Sequence, residues 1–461
     1  MSMKTDRAAE GQEAGKMQLM TEGSIFKNIL LFALPLLLGN LLQQMYNTVD
    51  SIIVGNYVSM EALAAVGSST SLINLLISFS QGTAAGAGVI ISQYLGAEQK
   101  ENTRRAVHTA LTVAALLGVV LAAAGALCSG QLLLWMKTPE SVMPDAAAYL
   151  RVYSGGIVFT VLYNMAAGIL NAAGNSRRSL LYLACAATIN VGLDLLLIVK
   201  LGMGVSGAAL ATDISQGLSC VLALAFLMRV KAPYRVYLRK LGIRKRMLER
   251  ILKVGLPTGI QNMVISLSNM LVQSSVNGFG EAAMAGFGAY MKVDGFNILP
   301  VISFSMAITT FVGQNYGAGK LDRVKKGVRV TMLMEVVYTL VTAVVLLLLL
   351  SGQVMRLFTP EAEAIAYGQL AMWYFCPFYW LIGIMHGLAG AVRGTGKTIP
   401  PMAVLLTALC LFRMLWLQFV QPYIGTIHGV LLQYPISWAL GAVLMALYVW
   451  KGRWLAERPV K

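Results

Sequence analysis

Polar residues interrupt this chain's apolar runs at intervals that suit helices crossing a bilayer. A transmembrane helix needs about 20 predominantly apolar residues. Such runs lie at 25–56, 61–95, 102–128, 144–173, 178–200 and 205–231. After a basic stretch they resume at 247–278, 281–316, 322–350, 363–393, 398–423 and 428–451. The pattern predicts an all-α integral membrane protein with twelve spans. Several runs exceed one crossing and contain Gly or Pro, which predicts tilts and kinks.

The two sets of runs repeat one another. Pro35 in ALPLLLGN matches Pro257 in GLPTGIQN, and Asn47 then falls on Asn269. Glu61-Ala62 matches Glu281-Ala282, and SQYLGA at 92–97 matches GQNYGAGK at 313–320. Thr138-Pro139-Glu140 matches Thr359-Pro360-Glu361, and NAAGNSR at 171–177 matches VRGTGKT at 392–398. Shifts of 220 to 222 hold throughout. Each copy has an even number of spans, so the copies are parallel repeats about an axis along the membrane normal. Two six-helix bundles are predicted, 25–231 and 247–451, with a tail at 1–24, a linker at 232–246 and a tail at 452–461.

The first run carries an unusual polar stripe. At about 100° per residue, Asn40, Gln43, Asn47 and Asp50 share one face of an otherwise apolar helix. A carboxylate at membrane depth costs several kcal/mol unless it meets water, a partner or an ion. Asp50 is therefore expected to turn inward and bind an ion or carry a proton, the plainer alternative being an Asp satisfied by a neighbouring helix.

Composition and charge support the membrane reading. The chain is 57% hydrophobic and only 12% charged, where soluble chains run at about 25% charged. A net charge of +16 invites a nucleic-acid partner, but the cations sit in short connections between apolar runs, as positive-inside orientation requires. One set of connections holds Lys100, Arg104 and Arg105, then Arg177 and Arg178, the linker, Lys320 to Lys326, and Arg393 with Lys397. The alternate set holds little more than Lys137, Lys200 and Arg356. Both termini and the linker are thus expected in the cytoplasm of a multi-pass plasma-membrane protein. The five cysteines are irregularly spaced and suggest neither a disulfide framework nor a zinc site. The polar opening lacks the apolar core of a cleaved signal.

Aligning the repeats exposes an asymmetry. Asp50 falls on Val272, Asn190 on Phe412 and Asp194 on Trp416. The second copy keeps the scaffold and lacks these acids, which points to ion chemistry in the first. Asn190 and Asp194 lie one turn apart on the fifth span, and Thr212 lies in the first turns of the sixth. Two carboxylates, an amide oxygen and a hydroxyl offer hard ligands for Na⁺. Alternatively, two adjacent carboxyl groups share a proton. Both readings use the same four residues and stay open. Lys292 and Asp294, two residues apart in the eighth span, do not face one another and stand as partners of other helices or as cleft-lining groups. Glu335 and Arg413 stand as a structural pair or as substrate contacts. Tyr46, Asn269 and several Met side chains complete the candidate cavity wall. Gly82, Gly86 and Gly88 suggest close helix contact or a bend.

The chain resembles the multidrug and toxic compound extrusion (MATE) family, in its DinF- and MepA-like bacterial branch. The resemblance rests on the doubled six-span layout, P-x₁₄-D-x₄-G at 35–55, GILNAAGNSRR at 168–178, N-x₃-D at 190–194 and VGQNYGAG at 312–319. It implies a V-shaped cavity between two lobes, alternating access, and export of bulky, often cationic organic compounds in exchange for H⁺ or Na⁺. It also implies an ion site at Asp50, Asn190, Asp194 and Thr212. No cofactor beyond the coupling ion is implied; the partners are small organic cargo and membrane lipid, and a monomer is compatible. The seventh span lacks the acid of NorM-type relatives, and the tenth has only Glu363 near its edge, which speaks against a second cation site of that type. One alternative is a flippase for a lipid-linked saccharide, whose pyrophosphate calls for more cations than Lys292 and Arg413 supply. A membrane-embedded transferase would need Asp-rich or His-bearing loops, whereas these connections are short and basic.

Overall fold

Within hydrocarbon every backbone N–H and C=O must be satisfied inside the segment, so long apolar runs become helices. The computed structural model describes residues 19–136 and 138–455. The tail up to residue 18, Lys137 and residues 456–461, including Arg458 and Lys461, lie outside the described residues. In the first half the helices are Ile25–Tyr57, Met60–Gly96, Lys100–Trp135, Met143–Ala172, Ser176–Asp194 and Gly204–Arg229. In the second they are Lys245–Asn277, Glu281–Gly317, Leu321–Val344, Ala362–Phe375 with Tyr379–Gly394, a segmented eleventh from Ile399 to Ile424, and Ile427–Trp450. Eleven of these spans are long and apolar enough to cross a membrane. The seventh matches them in length, but Gln261, Asn262, Asn269 and Gln273 make its charge-free stretch less apolar, and Lys245, Arg246, Glu249, Arg250 and Lys253 crowd its first turns. Among the described residues there is no strand, and the protein is an all-helical, twelve-span membrane protein.

The chain forms two compact units, and their limits fall inside helices. One unit holds Leu34–Gly259; the other joins Glu22–Ala33 to the chain from Ile260 onward. The first helix divides beside Pro35 and the seventh beside Pro257, the matched prolines of the repeat. Proline lacks the N–H for its helical bond and crowds the carbonyl four residues back, so helices bend there.

In the first unit the Met143–Ala172 helix is central, packed on the second, third and sixth helices. Gly82 and Gly86 bring the second helix onto the backbone of the seventh. A Cβ at Gly82 would lie 2.4 Å from Gly259 Cα, and one at Gly86 2.5 Å from Gly255 N. Gly88 differs, since its nearest neighbour would be Gly168 O at 3.5 Å. The linker is tied to the third helix: Tyr237 N donates to His108 Nε2 (3.0 Å), and Arg244 N donates to Thr109 Oγ1 (3.2 Å). In the second unit, Tyr379–Gly394 packs on the eighth, ninth and twelfth helices.

Wide π turns interrupt the fifth span at Leu195–Lys200 and the eleventh at Thr407–Leu411 and Trp416–Val420. Turns of this kind often mark functional positions. Here the turn after Asp194 has a counterpart beginning at Trp416, so it belongs to the repeated scaffold rather than to the acid.

Candidate functional site

The first helix buries Tyr46, Ile53 and Val54, while Gln43 and Asn47 are exposed and Asn40 and Asp50 half-buried. Heptad-like spacing puts Tyr46, Ile53 and Val54 together and leaves the amides on another face. Asp50 turns toward the fifth helix, where its carboxyl meets that of Asp194 side chain to side chain. Asp194 is fully buried, and neither of its oxygens has a donor; Asp50 Oδ1 also lacks one. One turn earlier, the buried Asn190 amide has no partner at either end. Four residues is one helical turn, so Asn190 and Asp194 present oxygen atoms along one line. Thr212 is buried on the sixth helix, its hydroxyl donating to Ala208 O (3.1 Å). The structure thus brings Asp50 and Asp194 together with Asn190 beside them, and places Thr212 on an adjoining helix.

A wider polar interior continues from this pair. The Tyr46 hydroxyl accepts from Gln216 Nε2 (3.4 Å) and is also bonded to Gln43. Tyr149, on the fourth helix, lies within electrostatic reach of Asp50, Asp194 and Asp213. Asp213 was not among the residues singled out from sequence. It is buried on the sixth helix and accepts the backbone N–H of Gly156. A Cβ at Gly156 would sit 2.1 Å from its Cγ, so only glycine admits the carboxyl there. The signal was present: an Asp inside an apolar run is an expensive residue wherever it stands.

Two facing carboxyl groups are a proton-binding device, because they can bond to each other only when one is protonated. With the Asn190 oxygen they are also hard ligands of the kind Na⁺ takes. Among the described residues no three His, Cys, Asp or Glu side chains converge on a metal position. A Na⁺ here would therefore draw ligands from Asn190 and Thr212 as well as the acids.

The second unit answers differently at each matched position. Val272 is fully buried. The Phe412 and Trp416 rings lie 5.7 Å apart, tilted by 41° to each other, and the Trp416 indole donates to Gly429 O (2.8 Å). Asp294 accepts from the Tyr379 hydroxyl, which Tyr290 bonds in turn at 2.8 Å. Lys292 is exposed, with its ammonium 5.8 Å from the Phe358 ring. Arg413 is 3% exposed; it donates to Ser437 Oγ (3.0 Å) and Asn269 Oδ1 (3.3 Å) and lies over the Tyr434 ring at 4.3 Å. The sequence reading allowed a structural pair between Glu335 and Arg413. The structure corrects it: Arg413 is held by the seventh and twelfth helices, and Glu335 packs against the tenth. Trp416→Phe is expected to lower stability by about 0.5–1.5 kcal/mol through the lost indole bond. Thermal unfolding will read that loss.

Known proteins resemble this chain along nearly its whole length. The MatE family model matches twice, at residues 35–196 and 257–416, so each repeat is one copy of the family's unit. Probable multidrug resistance protein YpnP of Bacillus subtilis is 30% identical over 95% of this chain and 98% of its own length. Probable multidrug resistance protein NorM of Thermotoga maritima is 26% identical over 93% of each. An FAD transporter of Shewanella oneidensis is 24% identical over 89% of this chain and 91% of its own. Among solved structures, an outward-facing multidrug resistance MATE transporter superposes with a TM-score of 0.88, covering 95% of this chain and 98% of that one at 23% identity.

Proposed function

Because the chain belongs to the MatE family of multidrug efflux transporters, we propose that it exports bulky, often cationic organic compounds in exchange for H⁺ or Na⁺. The observation that carries this reading is the meeting of Asp50 and Asp194, two acids confined to one repeat, with donor-free oxygens inside a membrane-spanning bundle. The ion enters from outside and settles between these carboxyls, assisted by Asn190 and Thr212. Binding there removes the repulsion between two carboxylates and lets the first and fifth helices close on each other. That packing weakens the hold on cargo in the outward-open state. Loss of the ion to the cytoplasm restores the repulsion and favours the inward-open, cargo-binding state. Reciprocal coupling of this kind is required by linkage: whatever the ion does to cargo affinity, cargo does to ion affinity.

The energetics are adequate. One elementary charge moving inward yields roughly 2.3 kcal/mol per 100 mV, and each tenfold gradient of a neutral compound costs about 1.4 kcal/mol. A single coupling charge therefore sustains about a 40-fold gradient of a neutral compound at that voltage, whereas a monocation exchanged one for one draws on the ion's concentration gradient. The cationic connections support a plasma-membrane orientation with both termini cytoplasmic. Relatives named for drug resistance support efflux over flipping of a lipid-linked saccharide. Purified protein in liposomes, with pH and Na⁺ gradients imposed separately, tests the reading. One of the two gradients should drive accumulation of ethidium, and failure of both would refute ion coupling.

A further inference from the structure

Glu335, on the Leu321–Val344 helix, is an acid that the mechanism above leaves unused. It is completely buried, and neither carboxyl oxygen has a hydrogen-bond partner. The side chain lies over Gly383 and Gly387, one turn apart on the second part of the tenth span. A Cβ at Gly387 would approach Oε2 to 2.4 Å, and one at Gly383 would lie 3.3 Å from the Cβ of Glu335. The carboxyl thus occupies space that only glycine leaves open. Gly390 and Gly394 extend the same surface against Ser305 and Thr309 of the eighth helix. The Tyr379–Gly394 segment therefore meets its neighbours along a smooth face. It is set off from Ala362–Phe375 by a 3₁₀ turn, Cys376–Phe378, that contains Pro377. A tight turn with a proline is a point where a helix can change direction.

The elements packed around Glu335 carry other ionisable groups, and these are otherwise engaged or set apart. On the tenth span, Arg393 donates to Ser305 Oγ (3.1 Å), and His386 stands beside Gly387. On the eighth, Asp294 is bonded by Tyr379, Lys292 lies near the Phe358 ring, and Glu281 is in the first turn. Cys376 is buried in the 3₁₀ turn, and Tyr338, one turn along the same helix, donates to Asn297. None is bonded to Glu335. Burying an ionised carboxylate without donors is too costly to sustain, so such a group takes up a proton or gains a partner.

We propose that Glu335 is a second proton-binding site, in the second repeat. It takes up a proton from outside in the outward-open state, holds it while Tyr379–Gly394 covers it, and releases it to the cytoplasm when that segment swings about Pro377 in the inward-open state. The ligand is H⁺ rather than a metal ion, since Oε2 abuts Gly387 and, among the described residues, no three His, Cys, Asp or Glu side chains gather to hold a metal. The proposal rests on the reading of the chain as an ion-driven exporter. It adds that each cycle moves one proton more than the Asp50–Asp194 pair alone would carry.

The test is the ethidium gradient that liposomes sustain per unit of imposed pH difference, with voltage clamped at zero. Each coupled proton multiplies that gradient about tenfold. Glu335→Gln, neutral and of the same size, should lower it tenfold relative to wild type, whether the first site takes H⁺ or Na⁺. Glu335→Ala should read the same. Equal gradients in wild type and variant would overturn the proposal, and so would failure of both neutral variants to fold, which would mark the carboxyl as a packing requirement. If wild type responds to neither pH nor Na⁺, the exporter reading itself has failed, a separate outcome.

Discussion

Asp50→Asn is expected to abolish gradient-driven export while the protein folds and purifies as wild type does. The amide matches the carboxyl in size and can donate to Asp194, so the packing between the first and fifth helices survives. It cannot ionise, and it cannot share a proton with a second acid. With the coupling group gone, an imposed ion gradient should no longer drive ethidium export, and the cargo gradient it sustains should collapse to none. Asp194→Asn acts on the other member of the pair and should cut export at least tenfold, in keeping with loss of one coupled charge. Ethidium efflux from energised vesicles reads both effects, and thermal unfolding of the purified variants checks the fold. Efflux at the wild-type rate in Asp50→Asn would remove the acid pair from the mechanism.

The largest effect on stability is expected at the glycine contact between the second and seventh helices. In Gly86→Ala the new methyl would lie 2.5–2.6 Å from Gly255 N, Gly255 Cα and Ile251 O. All three are backbone atoms, so none can rotate aside and the helices must separate. Overpacking of this sort costs about 1–3 kcal/mol. Between membrane helices, where close packing replaces the hydrophobic drive, separation also forfeits neighbouring contacts. Gly82→Ala should behave alike, since its methyl would meet Gly259 at 2.4 Å. Gly88→Ala is the control: ordinary contact at 3.5 Å predicts unfolding near the wild-type temperature.

The spans were legible because bilayer thickness fixes their length, and the repeat because matched motifs kept a constant shift. Details set by contact between helices were not. The run 363–393 reads as one apolar helix, yet Pro377 breaks it into two parts joined by a 3₁₀ turn. The run 102–128 extends to Trp135, because the helix continues through Ser129-Gly130-Gln131 into the apolar Leu132–Trp135. Periodicity placed Asn190 and Asp194 on one face of their helix, and the structure turns that face toward Asp50. Periodicity does not say which helix lies opposite a given face, which is why Glu335 and Arg413 invited a pairing that the structure does not make. Asp213 shows the same limit, since its place depends on the gap left by Gly156, 57 residues earlier in the chain.

The most direct test of the central claim needs no membrane. Ethidium affinity of purified protein in detergent can be measured against pH and, separately, against Na⁺, for wild type and Asp50→Asn. If the acid pair links ion to cargo, wild-type affinity weakens as pH falls or as Na⁺ rises, by tenfold for each 1.4 kcal/mol of coupling, and the Asp50→Asn affinity is flat in the same variable. Equal ion dependence in the two proteins would contradict the account.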